Sequence, residues 1–360
     1  MENDKTLLRI KTLTELHGAP GFEEEVRDYM KKEMTPFVDE VITTHMGSVF
    51  GIKKSKKQNA KRVMVAAHMD EIGFMITNIT QNGMLQFTNL GGVSNDIWQG
   101  QRLQVKNRNG EKIVGVVSNI PKHFRTGNEA VPEIKDLMLD IGAESDKEVR
   151  SRGIEIGDTI VPFTPFTQLS EHRYSAKAWD NRYGCVLAIE ILELLKDVEL
   201  DVDLYVGANV QEEVGLRGAK ASTELIQPDI AFVVDCSSAN DIKGKQQLSG
   251  QLGEGTLIRI KDGTMILSPR FRDYLLELVD TFDIRSQYYI SPGGTDGGEI
   301  HKANKGVPTA VIGVCARYIH STDAVFDIRD YYAARELLKQ AVSHLTNENI
   351  LTLQFQSEEK

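Results

Sequence analysis

The rhythm of hydrophobic and polar positions changes twice along this chain. Leu7–Leu16 and Phe22–Met34 repeat apolar residues at helical spacing, and His17-Gly18-Ala19-Pro20-Gly21 breaks the pattern between them. Val63-Met64-Val65-Ala66-Ala67 is a continuous apolar run that ends at His68, the pattern of a strand buried on both faces. From about Gly73 to Phe166 the stretches become short, as in Gly83–Phe87, Arg102–Lys106, Val114–Val117 and Thr159–Val161. Asn82-Gly83, Asn109-Gly110 and Gly157-Asp158 supply turns between such stretches. Beyond Gln168 helical and strand patterns alternate again. Helices are predicted over Arg182–Lys196, Phe271–Phe282 and Tyr331–Leu345, and strands over Asp203–Val210, Asp229–Val234 and Thr309–Val314. The expectation is an α/β fold: a mostly parallel sheet with helices on both faces, built from residues 1–72 and 167–360. A small all-β insert of barrel or sandwich type, residues 73–166, interrupts it.

Charge and composition narrow the partners. Forty-two basic and 52 acidic residues in 360 give a net charge of -10. Nucleic acid and anionic membrane both select a basic face, so neither is expected as the main partner. The basic run Lys53–Arg62 has no interleaved aromatics and reads as a solvated loop. The N-terminus lacks a basic start followed by a long apolar run, and no stretch approaches the roughly 20 apolar residues that span a bilayer. Cys185, Cys236 and Cys315 are an odd number, widely spaced, which argues against a disulfide framework or a zinc ribbon. The expected compartment is the cytoplasm.

In open α/β sheets ligands bind beyond the carboxyl ends of the strands. His68, Asp70 and Glu71 follow the first apolar run, and Asp180 follows Arg173–Ala178. Glu212 and Glu213 follow Leu204–Val210, Asp235 follows Ile230–Val234, and His320 lies in a short loop after Thr309–Val314. Two imidazoles and several carboxylates at five strand ends are a donor set for zinc, cobalt or manganese. A paired Glu-Glu is usually a solvated face. Directly after a buried strand, though, its charge is costly without a cation. His68-x-Asp70 suits a ligating imidazole whose other ring nitrogen is held by a carboxylate. If the backbone stays extended, Glu212 and Glu213 point to opposite sides, so that one can ligate and the other can serve as general base. The remaining histidines, His17, His45, His123, His172, His301 and His344, read as structural or surface residues.

These residues fall in recognisable strings: His68-Met69-Asp70-Glu71-Ile72-Gly73, Lys177-Ala178-Trp179-Asp180-Asn181-Arg182 and Val210-Gln211-Glu212-Glu213-Val214-Gly215. Gly293-Gly294-Thr295-Asp296 and Arg317-Tyr318-Ile319-His320 complete the set. Across essentially the whole chain the sequence resembles the M42 metallo-aminopeptidases, the glutamyl and tetrahedral aminopeptidase group. The resemblance implies a zinc-exopeptidase-like fold with two divalent ions, zinc or cobalt. His68 and Asp235 would hold one ion, Glu213 and His320 the other, and Asp180 would bridge them. Glu212 would be the general base and Asp70 would orient His68. The β insert would be a dimerisation domain, with the dimers assembling into a twelve-subunit tetrahedral shell. The insert falls between His68 and Asp180, which separates this chain from the M20 and M28 relatives.

The reaction so implied is removal of the N-terminal residue from short peptides. The resemblance leans to glutamyl or aspartyl N-termini, with leucyl or broad specificity as the alternative. An acidic substrate side chain needs a cation near the ions, for which Arg217 and Lys261 are candidates. Gly294, Thr295 and Asp296 lie in a glycine-rich loop before a predicted helix at Glu299, and such a loop can offer backbone N–H groups to substrate. A glycosidase fits poorly, since its two carboxyls must flank the sugar bond about 5–9.5 Å apart. A non-catalytic scaffold predicts a missing ligand, and none is missing. Cys236, beside Asp235, reads as a small buried hydrophobe, with a redox-sensitive thiol as the alternative.

Overall fold

The computed structural model describes residues 2–124, 130–244 and 248–355. The chain begins with α1 (Glu2–Glu15) and α2 (Glu24–Met34), separated at the predicted break. Then β1 (Glu40–Thr43), β2 (Val49–Lys53) and β3 (Arg62–His68) enter a large sheet. Next come β4 (Gly73–Ile79), β5 (Leu85–Leu90), β6 (Arg102–Lys106), β7 (Lys112–Val117), β8 (Met138–Asp140) and β9 (Thr159–Pro162), which close a separate barrel in the order β4-β5-β8-β7-β6-β9. The barrel segment is not purely β. It carries α3 (Asp146–Ser151), started by the Ser145 hydroxyl, which accepts the Glu148 N–H.

The chain returns to the sheet through β10 (Thr167–Gln168) and β11 (Arg173–Ala176), followed by α4 (Trp179–Leu195), β12 (Asp203–Asn209), α5 (Arg217–Ile226), β13 (Ile230–Ser238) and β14 (Thr256–Lys261). After these come α6 (Pro269–Thr281), β15 (Ser286–Ile290), α7 (Gly297–Ile300), β16 (Thr309–Arg317), β17 (Ala324–Asp327), α8 (Ile328–Ser343) and α9 (Asn347–Leu353). α6 starts where a helix should, with Ser268 as cap and Pro269 in the first turn.

The sheet has eleven strands, and it is mixed, not mostly parallel. The pairings β12·β3, β3·β13, β13·β16 and β14·β15 are parallel, and β1·β2, β2·β12, β16·β17, β17·β11, β11·β10 and β14·β16 are antiparallel. The reason is connection length. Only a few residues join β1 to β2, β10 to β11 and β16 to β17, and so short a link can join only antiparallel neighbours. The central run β12-β3-β13-β16 keeps the predicted parallel order. β11 is antiparallel to β17, which is antiparallel to β16, so β11 points the same way as the central four. Five strands that precede or carry candidate ligands therefore end on one side of the molecule.

Alternate residues of β3 enter different cores. Val63, Val65 and Ala67 pack with α1, α2, α4, α6 and α8, whereas Met64 and Ala66 pack with Ala219 and Ile226 of α5 and Ile300 of α7. Helices thus cover both faces. The barrel has its own core, centred on Phe74, whose ring meets the edges of Phe87 and Trp98 at 4.9 and 4.8 Å. Each such fully buried side chain stabilises by roughly 1.5–3 kcal/mol. Polar contacts join the two bodies. Lys106 and Lys112 pair with Glu25 of α2 at 2.9 and 2.8 Å, and His17 Nε2 lies 2.8 Å from Thr159 Oγ1.

Candidate metal centre

The carboxyl ends of the same-direction strands bring the candidate ligands together. His68 is the last residue of β3. Asp235 lies within β13, which continues to Ser238, and not beyond the strand end as the apolar pattern suggested. Asp180 sits in the first turn of α4 with extended backbone angles, and the peptide bond after it is cis. His320 has a φ of +60°, a conformation that a non-glycine residue holds only when its surroundings enforce it.

Two groups of donor atoms lie within 4.8 Å of one another: His68 with Glu212 and Asp235, and His68 with Asp180 and Glu213. His68 Nε2 is 3.2 Å from Asp180 Oδ1 and 3.8 Å from Asp235 Oδ1. His320 Nε2 is 3.4 Å from both Asp180 Oδ2 and Glu213 Oε2. Asp180 therefore presents one oxygen to each imidazole, as a bridging carboxylate must.

Both imidazoles have their tautomers set by main chain. His68 Nδ1 meets the Asp70 carbonyl at 3.1 Å and His320 Nδ1 meets the Gly92 carbonyl at 2.7 Å. A carbonyl only accepts, so each Nδ1 carries a proton, and each Nε2 is turned toward the carboxylates of the cluster, where a cation in place of its own proton would let it ligate. The Asp70 carboxylate is 3.5 Å from His68 Nδ1 and accepts the backbone N–H groups of Glu212 and Glu213, each at 3.0 Å. Asp70 thus fixes the Glu212-Glu213 segment as firmly as it fixes His68.

That segment differs from the extended form expected. Gln211 has a φ of +56°, and the Gly215 and Leu216 N–H groups both return to the Glu212 carbonyl. The result is a turn, and both carboxylates face one cavity of about 660 Å³. They differ in neighbours: Glu212 belongs with His68 and Asp235, Glu213 with His68, Asp180 and His320.

The electrostatics are those of a cation site. Burial raises the pKa of Asp235 to about 7 and that of Glu213 to about 8, with Asp180 adding to both, against the lowering effect of the histidines. Burial also holds Glu212 well above the usual carboxylate range, with His68 opposing and Asp235 and Glu213 reinforcing. Burial alone would depress His68, but Glu212, Asp180 and Asp70 outweigh it and raise its pKa. Glu213 Oε1 is buried with no hydrogen-bond partner among the described residues. Such an oxygen costs about 1–3 kcal/mol unless something pairs with it. Buried acids crowded together, an orphaned oxygen and two imidazoles with Nε2 turned inward all fit divalent cations.

Beneath this cluster Glu71, named among the strand-end residues but given no role, forms a charged anchor. Glu71 accepts Lys177 Nζ at 2.7 Å and Arg182 Nη2 at 3.0 Å, and Arg182 Nε donates to the Met69 carbonyl at 2.7 Å. All three side chains are buried, and they lock the start of α4 to the loop after β3.

The cavity wall also holds a cation. Arg259 of β14 is buried. Its Nη1 is 3.3 Å from Asp262 Oδ2, and its Nη2 donates to the Cys236 carbonyl and to Ser237 Oγ at 3.2 and 2.8 Å. Its Nε has no partner among the described residues. Neither Arg217 nor Lys261 lines the cavity, and both are exposed. The available signal for Arg259 was a single arginine inside the apolar stretch Leu257-Ile258-Arg259-Ile260. Gly294 lines the cavity, whereas Thr295 and Asp296 are buried behind it. A Cβ on Gly294 would come within 2.5 Å of Thr264 Cγ2, so only glycine lets this loop close against the wall. Cys236 also lines the cavity. Burial, with Asp180 and Asp235 nearby, pushes its thiol well above the ordinary value, which favours an inert side chain.

Known proteins resemble this chain over nearly its whole length. The chain is 43% identical to the glutamyl aminopeptidase of Lactococcus lactis over 347 residues, which are 95% of this chain and 97% of that one. A crystal structure of a TET aminopeptidase from a marine sediment archaeon, Thaumarchaeota, superposes with a TM-score of 0.94 at 32% identity, covering 98% of this chain and 100% of that one. The TET1 peptidase of Pyrococcus horikoshii, described as assembling into a tetrahedron or a large octahedral shell, gives a TM-score of 0.86 at 28% identity, covering 94% of this chain and 100% of that one. The sequence profile described as M42 glutamyl aminopeptidase matches residues 47–337, well over half of the 360, and this chain is accordingly a member of the M42 family of aminopeptidases, hydrolases that act on peptides.

Proposed function

We propose that this chain removes acidic residues, glutamyl first and aspartyl second, from the N-termini of short peptides, using two divalent ions. His68, Asp180, Glu213, Asp235 and His320 hold the ions, which are zinc or cobalt, with manganese accepted by the same donor set. The observation that carries the acidic preference is Arg259: a buried guanidinium in the wall of the cavity that contains the ligand cluster, with an unpartnered Nε. A guanidinium cannot shed its proton, so it stays cationic in the cavity wall and favours a substrate carboxylate beside it.

When bound, the ions would supply Lewis-acid polarisation of the scissile carbonyl and acidify the attacking water. The chain's own residues do the rest. Glu212 takes a proton from the attacking water and passes it to the leaving amine. Asp70 holds Glu212 and Glu213 in place through their backbone N–H groups. Gly293, Gly294, Tyr289 and Ser291 line the same cavity and would flank a substrate held there.

Assembly of dimers through the barrel into a closed shell is part of the proposal. Support comes from the P. horikoshii TET1 peptidase and from Val114 and Val116 of β7, which leave apolar side chains exposed on the barrel. A reducing cytoplasm is consistent with three free, buried cysteines. No helix among the described residues is long and apolar enough to cross a membrane.

The test is a panel of glutamyl, aspartyl, leucyl and lysyl chromogenic substrates, run on protein reconstituted with zinc, cobalt or manganese. Glutamyl substrate is expected to give the highest kcat/KM. Arg259→Met should lower that value by ~10²-fold or more, as loss of one partner of a buried charge pair does, and leave leucyl turnover within a few-fold. Arg259→Lys should fall between, because it keeps the charge but not the planar fork. A wild-type preference for leucyl or lysyl substrate, or an equal loss on all substrates in Arg259→Met, would sink the acidic assignment.

A further inference from the structure

Among the five proposed ligands His320 is held differently. Its side chain is 38% exposed, against 2–12% for His68, Asp180, Glu213 and Asp235. Its own loop leaves it at a φ of +60°. What fixes the ring's outer nitrogen comes from the other body of the protein: the Gly92 carbonyl, just past barrel strand β5, accepts its Nδ1–H at 2.7 Å.

The barrel loop is shaped for that contact. Asn89 Nδ2 donates to the Gly91 carbonyl at 2.7 Å and closes the turn. Gly91 has a φ of +99°, and a Cβ there would lie 2.9 Å from Ile72 Cγ2, 3.3 Å from Glu213 Cβ and 3.5 Å from Glu213 Oε2. The same short loop therefore packs on Glu213 and bonds to His320. His68, by contrast, takes its Nδ1 partner from Asp70.

We propose that the barrel loop Asn89–Gly92 is a positioning element for one half of the metal centre: it fixes His320 and Glu213, and with them the affinity of one ion, while leaving the His68–Asp235 half untouched. This rests on the reading of those residues as ligands. The barrel, in this view, completes the active site of its own chain as well as mediating assembly. An acceptor on the far side of a ligating imidazole sets its tautomer and orientation, and its loss weakens metal binding by about 10–100-fold.

The experiment is stepwise cobalt titration of the metal-free full-length protein, followed by calorimetry and by visible absorption. Wild type should take up two ions. Gly91→Ala and, more gently, Asn89→Ala should weaken one uptake step by about 10–100-fold and leave the other within twofold. The weakened step should be the one that His320→Ala abolishes. Added to His320→Ala, the Asn89→Ala change should leave the remaining uptake step within twofold, because the loop acts on the other half of the site. Loop variants that bind both ions like wild type, that weaken both steps equally, or that weaken the remaining step on top of His320→Ala overturn the proposal. A wild-type protein that takes up a single ion is a different failure, since it removes the two-ion reading itself.

Discussion

Glu212 and Glu213 are neighbours in the chain with different surroundings, and single substitutions can separate their roles. Glu212→Gln is nearly isosteric and keeps the N–H that Asp70 accepts. It should retain both ions by elemental analysis and lose about 10²–10⁴-fold in kcat, the range for a missing general base. A drop in bound metal to one ion would make Glu212 a ligand instead, which its 4.8 Å grouping with His68 and Asp235 leaves sterically open. At this scale the sequence was most informative where a polar residue ended an apolar run, as at His68. It was silent where the backbone turned without a marker. Gln211 adopts a positive φ with neither Gly nor Asn to announce it, so the expected opposite orientation of the two glutamates did not appear. Arg259 was hidden for the converse reason: it lies inside a buried strand, where pattern reading expects core.

The contact between the first two helices and the barrel should be sensitive to acid. Burial alone would raise the pKa of Glu25, but Lys112 and Lys106 outweigh it and hold it at about 2. Its contribution is therefore complete above its unfolded value of about 4.3 and is lost as pH falls toward 2. His17 is pushed down to about 2, first by burial and then by Lys177 and Lys106. The unfolded chain takes up that proton below about pH 6.5 and the folded one does not, so stability declines from there downward. One such group can contribute a slope of at most about 1.4 kcal/mol per pH unit. Urea unfolding between pH 7 and 4 should show this slope, and His17→Gln, which cannot titrate, should flatten it. An unchanged slope in that variant would place the acid sensitivity elsewhere. The elements themselves were largely legible, Arg102–Lys106 to the residue. Their neighbours were not, because periodicity reports burial and not pairing. The short links around β1, β10 and β17 decided the antiparallel edges, and those weak strands carry little pattern of their own.

At the scale of the whole molecule, the family could be read from the chain because the candidate strings occur in a fixed order with a long interruption between His68 and Asp180. The mixed sheet could not, and neither could the barrel's reach into the ligand cluster through Gly92. The five same-direction strands also set the order of events in folding. The proposed ligands stand at positions 68, 180, 213, 235 and 320, so no short segment of the unfolded chain holds enough of them to capture an ion. Closing loops of this length costs entropy that only the assembled sheet repays. The ions are thus expected to arrive after the sheet has formed, unlike those of small zinc domains, where metal capture and folding are one event. Refolding from urea should proceed at the same rate with or without zinc, while the final stability rises by RT ln(1 + [L]/Kd). Zinc that accelerates the main folding phase would contradict this order. The metal centre is then a late product of the native topology, and a chain caught before its sheet closes has no means of cutting peptides.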